Sequence, residues 1–273
     1  MMRFISILLL SLSVMSCTSS SHSKSLEVVA HRGGALLRNE NTLSAFEHAI
    51  ELQCDFIEFD VHLSADSQLV VCHDDKVDRT TNGHGAIEEM TLAQIQHLCI
   101  RDFRTGDLTD EHIPSLSEVL ELVNHRCRIL VEIKRSHPSQ YQGIEAKVVK
   151  ALRDYGSQDE YIVQSFDNRV IETIHYLDST IRLEKLIFCS LPCGHCFDGR
   201  ISRFSPSSHP YCQSVNIYHL FASERFIRSI HEQGMKVKVW TVNDWNQVPS
   251  KADAVITNRP DIFISEKSES IVQ

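Results

Sequence analysis

Histidines at the ends of apolar runs and carboxylates two residues apart are the parts of this chain most suited to chemistry. Val28-Val29-Ala30-His31-Arg32-Gly33-Gly34 reads as a strand that ends in His-Arg-Gly. The glycines let the chain turn sharply and let a ligand approach the backbone. In Asp55-Phe56-Ile57-Glu58-Phe59-Asp60-Val61, the side chains of Glu58 and Asp60 share one face of a strand. Two carboxylates on one inward face repel each other unless a cation neutralises them. That cation is either an Arg or Lys side chain or a metal. Leu130-Val131-Glu132-Ile133-Lys134 adds a third carboxylate, with Lys134 on the same face. Three inward carboxylates suit an octahedral oxygen site for Mg²⁺ or a looser one for Ca²⁺. Val70-Val71-Cys72-His73-Asp74 places a second histidine at a strand end. Paired with His31 beside a metal and an arginine, it points to acid–base catalysis. His62 continues the face of Glu58 and Asp60 and is expected to line the site without being a catalyst.

These groups need a scaffold that brings several strand ends together. Strand-like runs are expected at Leu26–Ala30, Asp55–Val61, Arg128–Lys134, Tyr161–Ser165, Arg182–Ile187, Gln213–Ile217, Met235–Trp240 and Ala252–Thr257. Between most of them lie helical faces, such as Leu43, Phe46, Ala49 and Ile50, or Leu116, Val119, Leu120 and Val123. Eight buried strands alternating with helices give a closed (β/α)8 barrel, a TIM barrel, with a doubly wound sheet as the rival. Residues 62–115 are too long for one loop and helix, so they form an inserted subdomain after the second strand. Residues 189–212, rich in Pro, Ser and Cys, replace a helix and are expected to form an irregular flap.

The N-terminus, MMRFISILLLSLSVMSC, has one positive residue and a short apolar run, then Val14-Met15-Ser16-Cys17 and a Ser-rich stretch. It reads as a bacterial lipoprotein signal (1–16), with Cys17 lipidated and 17–25 a polar tether. The barrel would then span 26–264 and a tail 265–273. The expected location is the cell envelope, periplasm-facing and held by the lipid anchor. Of the nine cysteines, Cys54, Cys72 and Cys127 read as small core residues. Cys189, Cys193, Cys196 and Cys212 are expected to be disulfides or free thiols rather than zinc ligands. The net charge of −9 disfavours general nucleic-acid binding.

Several further motifs occur in order: His31-Arg32-Gly33, Glu40-Asn41-Thr42, Glu58-Phe59-Asp60-Val61, His73-Asp74, Arg79-Thr80-Thr81, Ile113-Pro114-Ser115-Leu116, Glu132-Ile133-Lys134, Val239-Trp240-Thr241-Val242-Asn243 and Thr257-Asn258-Arg259-Pro260-Asp261. Together they resemble the glycerophosphodiester phosphodiesterase family from about residue 27 to 264. The resemblance implies a (β/α)8 barrel that hydrolyses glycerophosphodiesters to sn-glycerol 3-phosphate and an alcohol, as in glycerophospholipid catabolism. It implies a divalent cation, Mg²⁺ or Ca²⁺, on Glu58, Asp60 and Glu132, with His31 and His73 as the acid–base pair. Arg32 would contact phosphate, Glu40 would support the metal or the glycerol end, and Lys134 and Trp240 would line the substrate pocket. Arg38-Asn39 stands where the family often has Pro. A phospholipase D-type enzyme on a related barrel is the alternative, and a non-catalytic glycerophosphodiester-binding lipoprotein is a third reading.

Overall fold

The computed structural model describes residues 26–135, 141–191 and 194–271. The signal, Cys17 and the tether lie outside these residues, as does Cys193. The strands in chain order are β1 (Glu27–Ala30), β2 (Phe56–Leu63), β3 (Leu69–Val71), β4 (Arg128–Ile133), β5 (Tyr161–Ser165) and β6 (Arg182–Ile187). They continue with β7 (Cys189–Leu191), β8 (His195–Phe197), β9 (Ile201–Arg203), β10 (Cys212–Tyr218), β11 (Lys236–Trp240) and β12 (Ala254–Thr257). Eight of them, β1, β2, β4, β5, β6, β10, β11 and β12, are parallel and follow one another around the sheet. β1 pairs with both β12 and β2. That double pairing closes the barrel and rules out the open doubly wound sheet.

The helices are α1 (Leu43–Glu51), α2 (Leu92–Gln96), α3 (Leu116–Val123), α4 (Ile144–Tyr155), α5 (Asn168–Leu177), α6 (Glu224–His231) and α7 (Pro260–Ile271). Their starts are encoded locally. Ser115 caps the backbone of Glu118 while the Glu118 carboxylate accepts from Ser115, and Thr42 caps α1. Alternation along the strands then divides the interior into two. Ile57, Phe59 and Val61 face the helices in the large core, whereas Phe56 joins Val29, Leu130, Ile162, Ala254 and Ile256 in a small apolar plug inside the barrel. The polar residues sit above that plug, toward the C-terminal strand ends.

The insertion after β2 is present. β3 pairs antiparallel with β2, and Val70, Cys72, Val77, Ile87, Ile95, Ile100 and Ile113 form its own small core. The expectation of an irregular flap at 189–212 is corrected. β7, β8 and β9 form a three-stranded antiparallel sheet there. It is fastened by the buried pair Lys185–Asp198 at 3.0 Å and by Cys196 and Phe204 in the core. Alternating partners and a tight turn at Gly199 (φ 91°) build a sheet too short to show as a periodic run. Among the described residues the cysteines are free thiols.

Candidate active site

The site begins at the end of β1. The chain turns at His31–Gly33, and Gly33 has φ 80°. A Cβ there would meet the Ala45 Cβ at 2.7 Å, so only glycine lets α1 pack this close. The turn carries His31 and Arg32 over the mouth of the barrel. On the neighbouring strands β2 and β4, Asp60 stands beside Glu132 in register. Glu58, Asp60 and Glu132 are all buried and place one carboxylate oxygen each within 4.8 Å of one another. Among the described residues this is the only such cluster of metal-ligating side chains.

Charge balance shows what the cluster lacks. The Lys134 ammonium lies 2.7 Å from Glu132 and 2.9 Å from Asp60, and the Arg32 Nε lies 3.6 Å from Asp60. The Asn41 amide donates to Asp60 Oδ2 at 2.9 Å, the Gln164 amide to Glu58 Oε1 at 3.1 Å, and the Arg32 backbone N–H to Glu58 Oε2 at 3.0 Å. Burial and the charges of Asp60 and Glu132 nevertheless push Glu58 well above the carboxylate range. Glu132 is raised by burial, with Lys134 opposing. Burial would raise Asp60 as well, but Lys134, His73 and Arg32 hold it low. Burial would lower Lys134, and the two carboxylates keep it charged. The Lys134 contact falls on Asp60 Oδ1. A crowded, buried, oxygen-only set of three carboxylates facing two side-chain cations fits a hard divalent cation.

Each histidine is held in a defined tautomer. His31 Nδ1 lies 2.6 Å from Asn258 Oδ1, an acceptor, so the N–H sits on Nδ1 and Nε2 keeps its lone pair. Burial and the Arg32 charge lower the His31 pKa to about 3, which keeps the ring neutral and its Nε2 lone pair free. His73 Nδ1 donates to Asp74 at 2.7 Å. Asp74 is held low first by that hydrogen bond and then by Arg79. Arg79 also grips Glu40 with both terminal nitrogens, at 2.9 and 2.7 Å, and Glu40 accepts from Arg32 at 3.0 Å. Asp74, Arg79, Glu40 and Arg32 thus tie the two histidine loops together.

Of the residues expected from sequence, His31, Arg32, Glu58, His73, Glu132, Lys134 and Trp240 line one cleft of about 80 Å³. Asp60 is buried beneath it. Glu40 stands apart from the carboxylate trio and supports the arginines instead. His62 is corrected. It is buried, donates from Nε2 to the His73 carbonyl at 3.2 Å and accepts from Tyr141 at 2.8 Å, so it shapes the His73 loop from behind the cleft. A larger hollow of about 610 Å³ beside α3 and α4 is lined by none of the expected site residues.

A sequence model of the glycerophosphoryl diester phosphodiesterase family matches residues 31–262. The chain belongs to this family. A glycerophosphodiester phosphodiesterase of Caldanaerobacter subterraneus is 32% identical over 243 residues, covering 87% of this chain and 96% of the relative. One from Bacillus altitudinis is 30% identical over 254 residues, covering 89% and 98%. The structure of an Oleispira antarctica phosphodiesterase in complex with the product sn-glycerol-3-phosphate superposes with a TM-score of 0.75. It is 26% identical and covers 89% of this chain and 96% of that one.

Sequence reasoning within the family frame missed four supporting residues: Gln164, Asn258, Asp74 and Arg79. Gln164 carried a signal, since a polar residue inside a buried strand asks for a partner. Asn258 and Arg79 carried none beyond their motifs, because their partners are 227 and 39 residues away.

Proposed function

We propose that the cleft hydrolyses glycerophosphodiesters to sn-glycerol 3-phosphate and an alcohol, using a divalent cation, Mg²⁺ or Ca²⁺, on Glu58, Asp60 and Glu132. The observation that carries this reading is the convergence of the under-neutralised carboxylate trio, Arg32, His31 and His73 on one cleft. A phosphodiester monoanion resists attack because its oxygens repel nucleophiles. When bound, the cation supplies positive charge that neutralises those oxygens and the charge developing in the transition state. Arg32 adds a guanidinium, and Lys134 keeps the carboxylates aligned. The His31 Nε2 lone pair takes the proton from the attacking oxygen, whether of water or of the neighbouring glycerol hydroxyl; in the second case loss of the alcohol leaves a cyclic phosphate, which water then opens to sn-glycerol 3-phosphate. His73, oriented by the hydrogen bond from its Nδ1 to Asp74, gives a proton to the departing alkoxide. Trp240 and Phe166, with rings 5.6 Å apart, form the apolar wall of the cleft.

The test is release of the alcohol, with glycerol 3-phosphate measured alongside, from several glycerophosphodiesters and one lysophospholipid, with and without Mg²⁺ or Ca²⁺. Release from the deacylated diesters is expected. Turnover of the lysophospholipid alone would favour the phospholipase D-type reading, and tight binding without turnover the non-catalytic one.

We also place the protein on the envelope, held by a lipid on Cys17 and facing the periplasm, on the strength of Val14-Met15-Ser16-Cys17 and the Ser-rich stretch. Among the described residues no helix is long and apolar enough to cross a membrane. Detergent partitioning tests the anchor: Cys17→Ser should move the protein to the aqueous phase, and a wild-type protein already there would refute it.

A further inference from the structure

Ten large apolar side chains are exposed among the described residues. Scattered exposure is ordinary, but this distribution is not. Only two, Tyr176 and Leu177 at the end of α5, lie on the face opposite the cleft. The other eight stand in segments that follow the C-terminal ends of barrel strands, on the side of the catalytic mouth. The most exposed are Ile201 in β9 and Leu220 after β10, each at 72%.

The patch is continuous with the cleft. Trp240, in the cleft wall, touches Phe188 and Tyr218, with ring centroids 5.3 Å away in each case. Phe188 meets Phe197 at 6.3 Å, and Tyr218 meets Phe221 at 6.2 Å. Rings therefore lead from the reacting centre out to Ile201 and Leu220 at the rim.

The charge of this rim differs from that of the chain. Between Phe188 and Ser223 the single acidic residue is Asp198, which is buried against Lys185 at 3.0 Å. The exposed charges are Arg200 and Arg203, on either side of Ile201. Arg200 pairs with the buried Asp167 at 3.1 Å, a carboxylate that Arg169 and Arg135 also approach at 3.0 and 3.7 Å, so the group as a whole stays positive. A protein of net charge −9 is repelled by an anionic membrane over most of its surface, so a basic and apolar rim singles out one approach. Apolar side chains that sink into the headgroup boundary, flanked by arginines that stay with phosphates, are the chemistry of interfacial binding.

We propose that the rim formed by Phe197, Ile201, Leu220 and Phe221 with Arg200 and Arg203 docks on an anionic phospholipid bilayer and seats the barrel mouth on its headgroups. The proposal deepens the phosphodiesterase reading, since it would place the cleft where lipid-derived diesters arise. The docking itself is measured separately from turnover.

Hydrogen exchange of the full chain reports the contact by location, whatever the N-terminus does. With mixed phosphatidylglycerol–phosphatidylcholine vesicles, protection should rise at residues 197–203 and 218–222 and not at residues 174–178. The double variants Ile201→Ser/Leu220→Ser and Arg200→Gln/Arg203→Gln should each weaken that protection about tenfold or more in lipid titration. Both should hydrolyse a water-soluble glycerophosphodiester at the wild-type rate. Unchanged exchange at the rim would overturn the proposal. So would equal protection by pure phosphatidylcholine, or protection that grows with protein concentration in the absence of vesicles, which would assign the patch to a second copy of the chain. If the rim is protected but no diester is turned over, the docking stands and the phosphodiesterase reading fails.

Discussion

Two layers of charge lie inside the barrel, one deep and one at the mouth. In the deep layer the Lys238 ammonium sits 2.8 Å from Glu184 and 4.6 Å from the centre of the Phe56 ring. Asn216 joins Glu184 to Gln164 with two hydrogen bonds of 2.8 Å. One positive charge meets one negative charge, so this layer reads as structural. At the mouth, three carboxylates face Lys134 and Arg32, and Glu58 is pushed toward its neutral form. Both layers are buried and both contain a lysine. What separates scaffold from site is the imbalance, together with the histidines placed beside it.

The sharpest way to break the comparison is at the histidines. His31→Ala and His73→Ala should each lower kcat by roughly 10²–10⁴, the usual range for a general base or acid. The two variants should diverge on a nitrophenyl diester, whose leaving group needs no proton. His73→Ala should recover there and His31→Ala should not. Equal recovery of both would show that the roles are misassigned.

Glu58→Gln should lower turnover by about two orders of magnitude, on the scale of a lost electrostatic contact in the transition state. Its effect on stability has the opposite sign. Glu58 and Glu132 are both raised above the ordinary value of 4.5. In the folded, metal-free protein these two groups therefore bind more protons than in the unfolded chain as pH rises above that value, and their contribution to stability falls with pH. His31, lowered to about 3, and His62, lowered to about 4, contribute with the opposite sign up to 6.5. The expected outcome is therefore a difference: in excess EDTA, Glu58→Gln should gain thermal stability relative to the wild type as pH rises through this range, and the gain should level off above the raised values. A gain that shrinks with rising pH would contradict the charge imbalance.

The deep layer should behave in reverse. Lys238→Met leaves Glu184 uncompensated and should cost about 3–5 kcal/mol, measured by urea unfolding. Lys238→Met/Glu184→Gln should recover most of it, and the activity of the folded fraction should hold. The smallest expected effect is at Asn258. Asn258→Leu removes one hydrogen bond of ~1 kcal/mol and frees the His31 tautomer, lowering kcat about fivefold with KM unchanged. Nitrogen NMR of His31 should then show mixed tautomers, and a single tautomer in the variant would remove Asn258 from the account.

Much of this organisation was legible in the sequence because it is local. Alternation on β2 put Glu58 and Asp60 on one face, and the same rule put Glu132 and Lys134 together on β4. The closed barrel followed from eight buried runs. What was not legible depends on contacts distant in sequence or on very short elements. The three-residue strands β7, β8 and β9 carry too little periodicity to be seen. His62 shares the inward face of Asp60, yet the antiparallel pairing with β3 covers it, which no pattern within β2 reveals. The tie through Asp74, Arg79, Glu40 and Arg32 needs the insertion to fold back over β1.

The central claim is that the trio at the mouth holds a divalent cation on which hydrolysis depends. The most direct test strips the purified protein with EDTA and titrates Mg²⁺ or Ca²⁺ back, following heat of binding and glycerol 3-phosphate release on the same samples. The account predicts one site per chain, with activity absent at the start, returning along the binding curve, and neither signal in Glu58→Gln. Full activity in excess EDTA, with no metal found by elemental analysis, would contradict it.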